Sequence, residues 1–71
     1  MLYQLRFFDA GEEQRRILQI ETADDSAAIR IGAIHCIDSG MAVEISAGDK
    51  YLFRITPLTA RLYLSGVSQA E

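Results

Sequence analysis

The chain is poor in the residues that staple small proteins. It has one cysteine and one histidine in 71 residues, one proline and no tryptophan. A single cysteine excludes an internal disulfide. One histidine and one cysteine together fall short of the four side-chain ligands a structural zinc usually takes. No apolar run approaches the roughly 20 residues of a membrane span. The opening "MLYQLRFFDA" lacks the basic start and long apolar stretch of a signal peptide. Glycines stand singly at 11, 32, 40, 48 and 66, so there is neither a phosphate-cradling loop nor a nucleophile elbow. Seven basic residues against ten acidic ones give a net charge of −3. That balance argues against a nucleic-acid backbone as the main partner, because such binding rests on neutralising phosphates.

What is present reads as a globular domain. The chain is 49% hydrophobic and 24% charged, in the range of ordinary folded proteins. At this length one domain is the ceiling, and folding buries only about 60% of the unfolded surface. With disulfide and metal removed, an efficient core or association with another chain must supply the stability. A lone cysteine suits a reducing compartment, and the expected location is cytoplasmic.

Alternation of apolar and polar residues marks the strands. "LYQLRFF" (2–8) places Tyr3, Leu5 and Phe7 on one face and Gln4, Arg6 and Phe8 on the other. "DAGEEQ" (9–14) reads as a hairpin loop, and "RRILQIET" (15–22) as a second strand with Leu18 and Ile20 inward. Thr22 followed by Asp25 resembles a capping box, with Asp24 and Asp25 at the positive end of the helix dipole. The helix is expected over about 24–38, closed by Gly40 in a left-handed cap. "MAVEIS" (41–46), the turn "AGDK" (47–50) and "YLFRIT" (51–56) form a second hairpin, with Tyr51, Phe53 and Ile55 sharing a face. Pro57, without a backbone donor, ends that strand or sits at an edge. "TARLYLS" (59–65) is a candidate short fifth strand. The expected fold is α+β: an antiparallel sheet of four strands, or five, with one helix on one face, in the order ββαββ(β). Residues 1–66 form the single domain and 67–71 a flexible tail.

The pieces "YQLRFFDAG" (3–11), "ETADDSAA" (21–28) and "VEISAGDKYLFRITP" (43–57) resemble a family of short bacterial proteins. These are common in alphaproteobacteria and are classed as a domain of unknown function. The family pattern is a hairpin opening "YxFxxxDxG", an acidic lead-in, an alanine-rich helix and a second hairpin. The resemblance spans roughly 3–57. It departs where the family's second turn carries "DxxG" and this chain has "SAGD", and from Leu58 onward. It implies the ββαββ fold and no assigned activity.

His35 and Cys36 are the one pair with obvious chemical potential. Adjacent helix residues point about 100° apart, so the two do not converge on a metal, and no second histidine or cysteine completes a site. Cys36 lies near the helix C-terminus, where the dipole opposes a thiolate. Cys36 is therefore read as a small buried hydrophobe and His35 as a partly exposed helix residue. The carboxylate pairs Glu12–Glu13 and Asp24–Asp25 suit a solvated loop and a helix cap. No catalytic residue, metal ligand or cofactor is assigned, and the chain is read as a non-enzyme.

Two surfaces remain. Arg6, Phe8 and Arg54 on the open sheet face make a platform on which single-stranded nucleic acid can stack. Glu21 and Glu44 fall on or near that face, so cross-strand charge pairs are the simpler reading and nucleic acid is the lesser alternative. On the helix, Ala28, Ile29, Gly32, Ala33 and Cys36 form a small-residue side suited to packing on a sheet. Ala27, Ile31, Ile34 and Ile37 lie opposite and remain to be covered. A twofold dimer through these residues is expected, and the competing cover is the chain's own "LTARLYLSGV". The resulting expectation is a small self-associating protein-interaction module with an unidentified partner and no membrane contact.

Overall fold

A computed structural model describes residues 1–65, with the side chain of residue 65 left aside. The sheet is antiparallel and four-stranded. Its strands are β1 (Leu2–Phe8), β2 (Gln14–Glu21), β3 (Ala42–Ala47) and β4 (Lys50–Ile55), in the order β2-β1-β3-β4. The helix α1 (Asp25–Ser39) joins β2 to β3, and a short helix α2 (Ala60–Ser65) follows β4. The architecture is the ββαββ of an α+β fold. The expected division at residue 66 lies outside the described residues.

β1 sits inside the sheet, and its alternation is the clearest in the chain. Tyr3, Leu5 and Phe7 are at most 1% exposed. They share the core with Val43 and Ile45 of β3, Ile55 of β4 and Ala28, Ala33 and Cys36 of α1. β2 is an edge strand without a fully buried residue; Leu18 and Ile20 are half-buried. Phe7 is closed off by the His35 ring edge, 5.9 Å away and perpendicular, and by the Arg16 guanidinium 5.1 Å from its centroid.

α1 presents its small residues to the sheet, which lets the two layers approach closely. At Gly32 the approach is tightest. A Cβ there would lie 2.8 Å from Cδ1 and 3.3 Å from Cγ1 of Ile45. The contact is with the side chains rising from the sheet. Gly40 closes the helix at φ 73°, its N–H donating to the Cys36 carbonyl at 2.9 Å, a left-handed conformation that costs glycine little.

Three local expectations are corrected. Thr22 does not cap α1: its N–H donates to the Met1 carbonyl at 3.0 Å, which commits it to the β1–β2 ladder. Asp24 caps instead, in extended backbone, with Oδ1 accepting from the Ala27 N–H at 2.9 Å. Tyr51 does not share a face with Phe53 and Ile55. Ile45 pairs with Phe53 but Ser46 pairs with Tyr51, so Leu52 is an extra residue at a bulge. The bulge turns Tyr51 to the open face, where it is 57% exposed. Finally, the candidate fifth strand is helical. Thr59 N–H and Ala60 N–H both donate to the Thr56 carbonyl, and the Thr56 N–H donates to Thr59 Oγ1. Pro57 stands in this first turn, where a missing donor does no harm. α2 packs against α1, with Ala60 buried and Tyr63 edge-on to Phe53 at 5.2 Å.

Candidate interaction surfaces

The open face of the sheet is charged but largely self-satisfied. Glu44 stands between Arg6 of β1 and Arg54 of β4 in the pairing register. Only Arg54 takes it: Nη1 donates to Glu44 Oε2 at 2.7 Å, and Nη2 donates to both oxygens of Glu12 at 2.7 and 2.8 Å. The same guanidinium lies 5.3 Å from the centroid of Phe8. Glu44 first, and Glu12 after it, raise the pKa of Arg54, against an opposing contribution from burial. Phe8 and Arg54, two members of the candidate stacking platform, are therefore engaged with each other. Arg6 is exposed and makes no ion pair among the described residues. Beside it a hollow of about 210 Å³ is bounded by Glu44, Ser46, Asp49 and Tyr51.

Glu12 was legible only as a loop residue. The loop is built by Asp9, whose Oδ1 accepts from the N–H groups of Gly11 and Glu13 at 2.9 and 3.0 Å. Glu12 takes the left-handed conformation, φ 65°, in place of the adjacent glycine. No local signal pairs it with Arg54, which lies 42 positions on.

His35 and Cys36 do not meet as a functional pair. Cys36 is fully buried, with Sγ 3.7 Å from the Ile55 carbonyl, and burial raises its pKa. A neutral thiol is a poor nucleophile. Among the described residues no three of histidine, cysteine, aspartate or glutamate gather as metal ligands, and no helix is long and apolar enough to cross a membrane.

The outer side of α1 is the more unusual surface. Ala27 and Ile31 are half-buried, Ile31 against the core. Ile34 is 54% and Ile37 42% exposed, even with α2 docked on the same helix. Leu58, before α2, and Leu62, within it, are also exposed. Among the described residues α2 thus packs on α1 and leaves Ile34 and Ile37 exposed. Comparison of the chain with protein-family models, with curated proteins and with solved structures finds no match.

Proposed function

We propose that this chain is a small cytoplasmic protein-interaction module that associates with itself and carries no catalysis of its own. The carrying observation is the exposure of Ile34 and Ile37 on α1 after the chain's own α2 has docked. Isolated apolar residues are common on surfaces. Two isoleucines one helical turn apart on the longest element form a ridge, and covering each fully is worth roughly 1.5–3 kcal/mol. For a chain too short to bury a large core, that gain is a substantial part of the total stability. The single free cysteine suits a reducing compartment. Light scattering across a dilution series tests the reading. A mass falling from twice the chain toward the chain on dilution supports it, with Ile34→Asp monomeric and still folded by circular dichroism. A monomer at every concentration overturns it.

A further inference from the structure

We propose that the hollow on the open face of the sheet binds a free α-amino acid with an apolar side chain. Arg6 takes its carboxylate, and Asp49 with Glu44 takes its ammonium group. The site lies on the sheet face opposite α1 and goes beyond the self-association proposed above.

The pairing register builds the hollow. Its floor is the short side chain of Ser46, which pairs with Gln4 of β1 on one side and Tyr51 of β4 on the other. Glu44, two residues back along β3, stands on the same face as Ser46. Glu44 and its cross-strand neighbour Arg6 bound one end. The β3–β4 turn bounds the other end, where Gly48 takes the left-handed conformation at φ 62° and Asp49 follows it. The bulge at Leu52 supplies the remaining wall by turning Tyr51 to this face. Bulges recur beside functional sites because they re-aim a side chain. The hollow holds about 210 Å³, below the roughly 300 Å³ at which pockets for drug-sized ligands begin. Its occupant is therefore small.

The polar groups around the hollow are uncommitted. Arg6 makes no ion pair among the described residues, and its neighbour Glu44 gives Oε2 to Arg54 at 2.7 Å. Oε1 of Glu44, the Asp49 carboxylate and the hydroxyls of Ser46 and Tyr51 make no hydrogen bond among the described residues. One guanidinium thus shares a small space with two carboxylates. A simple anion would meet both carboxylates, and a simple cation would meet the guanidinium. An α-amino acid carries both charges on one carbon and satisfies both signs. Its carboxylate suits the forked donors of an arginine. The ring of Tyr51, 57% exposed, offers an apolar surface for the ligand's side chain. All these groups touch water, so the dissociation constant is on the order of 1 mM.

An amide NMR titration of the full chain with L-leucine tests the site. Saturating shifts should centre on Arg6, Ser46, Asp49 and Tyr51 and leave α1 unmoved. Isocaproate is leucine without its ammonium group, and isopentylamine is leucine without its carboxylate. Each should bind roughly tenfold more weakly, having lost one charge pair and left a like charge opposed. Arg6→Gln should weaken leucine by a similar factor, and Ser46→Leu, which fills the floor, should remove binding. The amide spectra of both variants report whether they stay folded. The proposal is overturned if leucine gives the parent chain no saturating shift, or shifts it elsewhere. It is equally overturned if either leucine analogue binds as tightly as leucine, or if folded Arg6→Gln binds like the parent. None of these outcomes bears on the oligomeric state, so self-association stands or falls separately.

Discussion

The hydroxyl of Tyr3, in a central strand, donates a 2.7 Å hydrogen bond to Oδ1 of Asp25 in the first turn of α1. The bond ties sheet to helix across 22 positions. Asp24 alongside caps the helix, so the two acidic residues divide the work: one satisfies the helix backbone and the other anchors the helix to the sheet.

This bond makes stability fall at alkaline pH. The hydrogen bond to Asp25, helped by burial and by the negative charge of Asp25 and Asp24, raises the Tyr3 pKa from 10.0 to about 12. In the unfolded chain the phenol loses its proton first, while the folded chain still holds it. The contribution is complete below pH 10 and drains away as pH rises toward 12. Urea midpoints measured from pH 9 upward should therefore decline in the parent chain more steeply than in Tyr3→Phe. Parallel slopes for the two proteins would contradict the assignment.

Arg54 holds Glu44, Glu12 and the ring of Phe8 together, and its side chain is only 26% exposed. Replacing it leaves Glu44, itself 24% exposed, without its partner. Arg54→Ala should cost about 1–2 kcal/mol, between an exposed ion pair and a buried charge-assisted bond. Arg6→Ala, which removes an exposed residue without an ion pair among the described residues, should stay within about 0.5 kcal/mol of the parent. Equal losses in urea unfolding would remove the distinction between the two arginines. Arg54→Glu, which sets three carboxylates together, should be worse than Arg54→Ala.

Gly32 sets the distance between helix and sheet. Gly32→Ala gains about 1 kcal/mol of helix propensity. It also drives a Cβ to 2.8 Å from Cδ1 of the fully buried Ile45, and overpacking of this kind costs about 1–3 kcal/mol. A net loss is expected. Ile45→Val removes the clashing Cδ1 at its own cost of about 0.5–1.5 kcal/mol. The pair Gly32→Ala with Ile45→Val should then be more stable than the sum of the single changes allows. Simple additivity in a double-mutant cycle would show that the methyls do not meet.

The sequence by itself determined the elements whose signals are local. Alternation in 2–8 placed Tyr3, Leu5 and Phe7 inward, because pleating leaves successive side chains no other choice. The small residues of α1 identified the face that meets the sheet, and Gly40 marked the end of the helix. Tertiary structure decided what depends on partners distant in the chain. The strand order β2-β1-β3-β4 follows from packing the hairpins beneath one helix. The extra residue at Leu52 exists only in the pairing of β4 with β3, and it turns Tyr51 from the core to the open face. Residues 59–65 carry a strand-like alternation, and the Thr56–Pro57 pair before them offers a helix start. Docking of Ala60 and Tyr63 beside α1 and Phe53 selects the helix. Arg54 had two carboxylates available by parity, Glu21 and Glu44, and takes Glu44 together with Glu12 from the first hairpin loop. Electrostatic pairing acts through space, so the chain order that specifies a strand or a cap does not specify which charges will meet.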